Sequence, residues 1–548
     1  MTILRSTAVM AAGTTVSRIT GMVRNLLVVA ALGTAIFADT FSVANTIPTI
    51  LYILLIGGAL NSVFVPQLVR SMKEDADGGD AFASRLLTAT TVLLGLITLL
   101  AVFGAPLLVR LYAGKFASPG LEHEYALTIA FARYCLPQIL FLGLFVMFGQ
   151  VANARGKFGP MMWAPVLNNL VVIATLLIFL RIAPQVSTKT ITPGETALLG
   201  LGTTAGVALQ FLVLIPVVAQ TKLRIRPRFD WRGGGLGHSS RLAFWTFCFV
   251  LVNQVGYLIV VNIATATAAK AKIAGLALGV GFTPYANAYL IFVLPHSIIT
   301  VSLVTALLPR LSAAAADHEV KQVRDEIAST LKLVGVATVP AAIAFLFLGP
   351  LMATVLYAGT DPANARQIGF VLAGFSLGLV PFSASHLLLR GFYAFEDTKT
   401  PVTISLALNI VMVALSFAAE ILLPLRWVVV GLAGAFAIAY VVGLGITFNR
   451  LRDRVGSLGG AGILRSHVRL ALAALAAMVP ALLVAHVATW RLGQGALGAL
   501  VALALAGPSY LALYLYLARR LRVTEVKSLT ERLRTTIRAT IGKGMEST

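Results

Sequence analysis

Stretches of about twenty residues without a charge recur along the whole of this chain, and no other feature narrows its fold so far. "LLTATTVLLGLITLLAVFGAPLLV" (Leu86–Val109) is one, and "LNNLVVIATLLIFL" (Leu167–Leu180) is the core of another. A helix needs about 20 mostly apolar residues to cross the hydrocarbon of a bilayer, where every backbone N–H and C=O must be satisfied within the segment. By that rule the chain holds about 14 candidate spans. The runs are continuous and lack the alternation of a transmembrane β-barrel. The predicted fold is therefore all-α and polytopic. Hydrophobic residues make up 58% and charged residues 12%, which sets aside an ordinary soluble domain.

The formal net charge is +22. In a soluble protein that balance points to nucleic acid; here the placement of the charge decides otherwise. Basic residues gather in alternate loops: "TKLRIRPRFDWR" (Thr221–Arg232), "NRLRDRVG" (Asn449–Gly456) and the tail "ARRLRVTEVKSLTERLRTTIR" (Ala518–Arg538). The loops between them, such as Gly114–Tyr125 and Gly359–Gln367, are nearly neutral. That is the positive-inside pattern. It predicts cytoplasmic basic loops and two cytoplasmic termini, hence an even number of spans. The basic tail, residues 521–548, is expected to lie at an anionic membrane surface. The opening "MTILRSTAVMAAGTTVSRITG" has no single apolar block before a cleavage site, so it reads as the start of the first helix. The two cysteines, Cys135 and Cys248, sit in apolar runs, which argues against a disulfide framework or a metal site.

Self-comparison exposes a repeat. "APLLVRLYAG" (Ala105–Gly114) matches "GPLMATVLYAG" (Gly349–Gly359), and "SVFVPQL" (Ser62–Leu68) matches "TALLPRL" (Thr305–Leu311). Pro160 and Asn168 correspond to Pro401 and Asn409, and Pro48 to Pro295. The shared offset of about 241–247 residues carries the inference. It predicts two six-helix lobes, residues 1–225 and 235–455, related by an axis along the membrane normal. Two further helices follow at 465–520. A cavity is expected between the lobes, opened to either side in turn as they rock.

Few ionisable residues fall inside the spans: Arg18, Arg24, Asp39, His296, His386 and Arg390. An intramembrane charge must face water or a partner, so each is a functional candidate. Arg18 and Arg24 lie about 120° apart around a helix and roughly 9 Å along it, and Gly13 and Gly21 are positions where that helix can bend. A wet cavity would make both arginines anion ligands, since the guanidinium offers forked donors and stays charged. The alternative for Arg18 is to snorkel to the interface. Asp39 reads either as a helix cap or as a partner for a cation, a proton or an arginine. His296 reads either as a packed residue or as a proton sensor, and His386 likewise. Arg390 reads as a helix-end cation.

No GxxxxGK[ST] loop, no HExxH or Cys/His cluster and no GxSxG elbow occurs. The expectation is a transporter rather than an enzyme. It would need no cofactor and be driven by membrane potential or an ion gradient.

"SRITGMVRN", "FADTFSVANTIPTIL" and "GALNSVFVPQL" within Ser17–Leu68, "NARGKFGPMMWAPVLNN" (Asn153–Asn169) and "LRGFYAFEDTKTPV" (Leu389–Val402) together resemble the MurJ/MviN family of the multidrug/oligosaccharidyl-lipid/polysaccharide exporter superfamily, in order and over essentially the whole chain. The resemblance implies two six-helix lobes plus two C-terminal helices. It also implies a flippase for lipid II, the undecaprenyl-pyrophosphate-linked peptidoglycan precursor, in the bacterial cytoplasmic membrane. Ser17, Arg18, Gly21, Arg24 and Asp39 match family positions in or beside the central cavity, where arginines are expected to hold the pyrophosphate. The C-terminal helices would form a groove for the lipid tail, and cell-wall synthesis proteins are possible partners.

The chain departs from the family pattern at several points. Asn25 stands where many members have an aspartate, Tyr52–Ile53 where many have two arginines, and Gly57 where a glutamate is common. "YANAYLIFVLP" (Tyr285–Pro295) lacks a frequent arginine. A less basic cavity fits an actinobacterial-type variant, as the Ala/Arg/Gly-rich composition suggests, or a different cargo. The rivals are a flippase for another undecaprenyl-linked glycan, a multidrug exporter of the same superfamily and a non-transporting scaffold for cell-wall enzymes.

Overall fold

A computed structural model describes residues 3–57, 71, 77, 79–183, 186–221, 226–230, 237–276 and 278–526. The repeat segment Ser62–Leu68, residues 222–225 and 231–232 of the basic loop and the tail beyond residue 526 lie outside the described residues.

Apolar sequence without water can satisfy its backbone only locally, and the described chain is accordingly built of helices. In order they are α1 (Ile3–Leu32), α2 (Ile36–Tyr52), α3 (Asp80–Phe103), α4 (Ala105–Tyr112), α5 (Glu122–Cys135), α6 (Gln138–Ala154), α7 (Gly159–Ile182), α8 (Pro193–Leu212), α9 (Leu214–Ala219) and α10 (Gly237–Ile273). There follow α11 (Phe282–Pro295), α12 (Val301–Ala316), α13 (Val320–Leu356), α14 (Pro362–Ser376), α15 (Leu379–Ala394), α16 (Lys399–Leu422), α17 (Leu425–Val455), α18 (Gly460–Leu492) and α19 (Ala496–Arg520). Among the described residues 13 helices or helix pairs are long and apolar enough to cross a membrane. The count is 14 if α14 and α15, bent by 49°, form one span. The polytopic all-α expectation holds.

The chain divides into two compact units, Met1–Thr283 and Pro284–Thr548. In the first, α1 packs on α7, α7 on α8 and α2 on α5. Phe41 and Phe131 meet edge to face at 5.3 Å in its interior. Helix α10 also belongs to this unit: Asn262 Nδ2 donates to the carbonyl of Leu111 (3.0 Å) and the Thr265 hydroxyl to that of Tyr112 (3.1 Å), satisfying acceptors left at the end of α4.

The second unit is centred on aromatic rings. Phe292, Phe375, Phe382 and Phe436 meet in stacked, tilted and edge-on pairs at centroid distances of 5.2–5.8 Å. Helices α18 and α19 pack together through small residues, Ala473, Ala477, Ala481 and Ala485 on one and Ala499, Ala502 and Ala506 on the other, all buried. In lipid, where the hydrophobic effect does not drive helices together, such residues let backbones approach and gain dispersion contact. The outward side chains, including Leu472, Val479 and Leu483, are exposed on the face suited to lipid.

Irregularities recur between the units. A π-helical turn occupies Ile53–Gly57 after Pro48, and another occupies His296–Thr300 after Pro295. Proline removes a backbone donor, and a widened turn is one way a helix absorbs the misfit. The break between α5 and α6 likewise has its counterpart between α14 and α15. Pro48 lies inside α2 and Pro295 ends α11.

Candidate functional site: the arginine face of the first helix

Helix α1 carries its polar residues in a definite phase. Gly13 faces the ring of Trp163 on α7, so that a Cβ there would lie 2.8 Å from Cδ1. The indole Nε1 donates to the carbonyl of Val9 at 3.2 Å. Asn169 on α7 donates through Nδ2 to the carbonyl of Ser17 and to the hydroxyl of Thr20, both at 3.0 Å. A Cβ on Gly21 would stand 3.4 Å from the same nitrogen. The two glycines are therefore contact positions against α7, and α1 runs on through both as helix.

Arg24 is eleven residues beyond Gly13, which at 100° per residue returns it to the same face. It is half-buried, and among the described residues no side chain or carbonyl pairs with it. Arg18 projects from a different face and is exposed, and Asn25 is half-buried. The structure thus does not bring the two arginines onto one stripe. Arg24 continues the polar row of Gly13, Ser17 and Thr20, whereas Arg18 stands apart.

Asp39, on the first turn of α2, is fully buried. Its carboxylate accepts the backbone N–H groups of Phe282 (2.9 Å) and Thr283 (2.6 Å) at the start of α11. The Thr283 hydroxyl donates onward to Ser42 Oγ at 3.0 Å. Asp39 is thus a cap, but for a helix distant in sequence rather than its own. A carboxylate at a helix N-terminus meets both the unpaired N–H groups and the positive end of the helix dipole.

His296 begins the second π-helical turn and is buried in the second unit. Its Nδ1 lies 3.1 Å from Ser383 Oγ, and its ring is 4.5 Å from that of Phe382 and 5.0 Å from that of His386. Arg390, one turn after His386, lies over the ring of Tyr393 at 5.7 Å. A groove of about 960 Å³ opens between α12 and the start of α13, where Arg310 pairs with Glu326 at 2.5 Å. None of the sequence-predicted site residues lines it.

Sequence reasoning passed over Asn169, which fixes the register of α1, and Gln138, whose Nε2 donates to Asn45 Oδ1 at 3.1 Å and to Thr204 Oγ1 at 3.3 Å. The available signal was an uncharged amide inside an apolar run, since a buried amide must find partners. Among the described residues no group of acidic, histidine and cysteine side chains could hold a metal ion. Cys135 is buried, 3.7 Å from the Thr203 hydroxyl.

These spans, in two compact units with the single arginine Arg24 on a polar row of the first, are those of a multi-pass helical membrane transporter. The fold is similar to a solved structure titled "Lipid II flippase MurJ, inward closed conformation", with TM-score 0.69, 20% identity and coverage of 93% of this chain and 99% of that one. It is also similar to an inward-facing multidrug-resistance MATE-family transporter of the MOP superfamily, with TM-score 0.62, 16% identity and coverage of 81% and 96%. The sequence model of the lipid II flippase MurJ family matches residues 28–501. A probable lipid II flippase MurJ of Vibrio cholerae is 26% identical over 555 residues, spanning 96% of this chain and 98% of the relative. The chain belongs to the lipid II flippase MurJ family.

Proposed function

We propose that this chain carries lipid II from the inner to the outer leaflet of the bacterial cytoplasmic membrane by alternating access. The match to the family's sequence model over residues 28–501 carries the reading. The chemistry of α1 supports it. An arginine within a span, half-buried and without an acidic partner among the described residues, is suited to an anionic ligand. A pyrophosphate presents oxygens that forked guanidinium donors match. Arg24 is assigned the pyrophosphate, and the exposed Arg18 an accessory contact to the same headgroup. Ser17 and Gly21 are engaged with Asn169, so their contribution is to hold Arg24 in register. Asn25, half-buried beside Arg24, is assigned a polar contact to the cargo. Asp39 is assigned a positioning role through α11.

The basic loops support a cytoplasmic placement of both termini. Transport is assigned to the membrane potential or an ion gradient, with His296 the proton-responsive candidate. The cargo partner is lipid II, and cell-wall synthesis proteins are the expected protein partners.

The test is complementation. The native lipid II flippase of a host is depleted, this chain is expressed, and lipid II newly exposed at the outer surface is labelled. Wild type is expected to restore exposure. Arg24→Ala removes charge-assisted hydrogen bonds that contribute about 1.5–3 kcal/mol, so exposure should fall by roughly 10-fold to 100-fold at equal expression. Arg18→Ala should cost less. Failure of a correctly inserted wild type, with no binding of purified lipid II, would shift the cargo to another undecaprenyl-linked glycan.

A further inference from the structure

The basic loop that precedes α10 is not a loose tether. Residues 226–230 have no regular secondary structure and lie alongside the first turns of α3. The backbone N–H of Arg226 donates to Ser84 Oγ at 3.2 Å and that of Arg228 to Thr88 Oγ1 at 3.1 Å. Ser84 and Thr88 are about one helical turn apart, near 6 Å, and alternate residues of an extended chain are spaced by about 6.6 Å. Pro227, between the two donors, has no N–H to satisfy. Arg85 closes the far end on Asp230, with Nη2 at 2.8 Å and Nε at 2.9 Å from Oδ2. The segment is a strap fixed to the end of a span.

Its own sequence is mostly basic, although Asp77, just before α3, and Asp230 both lie within electrostatic reach of Arg228. Thr221–Arg232 contains five basic residues and one acidic residue. That acid, Asp230, is already taken by Arg85, whose hydrogen bond holds its carboxyl below the usual carboxylate range. The guanidinium of Arg226 has no side-chain or carbonyl partner among the described residues. Phe229 is 69% exposed. The strap lies between spans that end at Ala219 and begin at Phe244, and it is tied to the end of a third that begins at Asp80. It is therefore held at the level of the lipid headgroups.

We propose that this strap is a docking surface for the phosphate headgroups of anionic phospholipids in the adjoining leaflet, with Arg226 and Arg228 as its cationic contacts and Phe229 as an interfacial anchor. A juxtamembrane cluster of this kind attracts anionic lipid. Ordering by Ser84, Thr88 and Arg85 means that little chain entropy is lost when headgroups bind. An aromatic ring at headgroup depth adds affinity for the interface. The inference needs only that the chain spans a membrane; it does not rest on lipid II being the cargo.

The experiment uses the full chain in phosphatidylcholine nanodiscs with trace spin-labelled phosphatidylglycerol or spin-labelled phosphatidylcholine, at constant ionic strength. Association of each lipid is read from the motionally restricted component. Wild type should prefer phosphatidylglycerol. Arg226→Gln/Arg228→Gln should lower that preference by about five-fold or more, since each near-surface cation contributes about that factor. Arg181→Gln/Lys189→Gln, two exposed basic residues in the last turn of α7 and the connection that follows it, should leave it in place. Added inorganic phosphate should not displace it. An unchanged preference in the strap variant, or an equal loss in the distal pair, overturns the proposal in favour of an acidic protein partner or a diffuse charge effect. Displacement by inorganic phosphate overturns it in favour of a free-phosphate site.

Discussion

The carboxylate of Asp39 holds the backbone N–H of Thr283 at 2.6 Å, and that of Phe282 at 2.9 Å, across more than 240 residues of chain. An acidic residue that reads as a candidate for ion binding is therefore committed to the first turn of a helix. Gly281 lies so close that a Cβ there would overlap Asp39 Oδ2, which is why that neighbour has no side chain.

Replacing this carboxylate should separate positioning from ligand contact. Asp39→Asn keeps the volume but turns one acceptor into a donor facing an N–H, leaving a buried group unsatisfied at a cost of about 1–3 kcal/mol. Lowered thermal stability and lost transport should appear together, measured by unfolding of the purified protein and by lipid II exposure. Lost transport with unchanged stability would assign Asp39 to the cargo or a coupled ion instead.

Tyr514 anchors the last helix in a way that can be isolated. Pro340, inside α13, cannot donate to the carbonyl of Val336 four residues earlier. The Tyr514 hydroxyl fills that vacancy at 2.6 Å, and the Tyr510 hydroxyl donates to the Pro340 carbonyl at 2.9 Å. Tyr514→Phe should destabilise by roughly 1–3 kcal/mol, read as a lower unfolding temperature. Pro340→Ala in the same background should recover part of the loss, because the helix then satisfies its own carbonyl.

The approach of α1 to α7 depends on the absence of a side chain at Gly13. Gly13→Val places methyl groups inside the Trp163 ring position, and overpacking of this kind costs about 1–3 kcal/mol. A combined Gly13→Val/Trp163→Ala variant should be closer to wild type in thermal stability than either substitution alone. Additive losses would mean that the two residues do not oppose one another.

Asp397, in the "GFYAFEDTKTP" segment, should confer acid sensitivity. Partial burial works against its charge, but the Thr400 N–H (2.9 Å), the Thr400 hydroxyl (2.7 Å) and the guanidinium of Arg454 (2.8 Å) outweigh it and hold the carboxyl below the ordinary carboxylate range. A depressed folded-state value stabilises above the unfolded value of about 4 and is lost as pH falls through the folded value. Asp397→Asn should lower the unfolding temperature at neutral pH, with loss of a cap contributing about 1 kcal/mol. Its unfolding temperature should then vary less below about pH 4 than that of wild type.

Much of this protein was legible in its residues alone. Uncharged runs of span length dictate helices, because backbone polar groups in lipid have no other partner. Arg24 stood out because charge in such a run needs a reason, and the family likeness was carried by short motifs in order. Tertiary structure decided what periodicity cannot express. Helix phase alone separates Arg18 from Arg24 by angle, but only packing on Trp163 and Asn169 shows which face of α1 is covered. Asp39 finds Phe282 and Thr283, and Asp230 finds Arg85, across chain separations that no local pattern reports. The physical reason is common to these cases. Burial in a bilayer is a local property of composition, whereas the partner that satisfies a buried polar group is chosen by whichever distant segment the fold brings within about 3 Å.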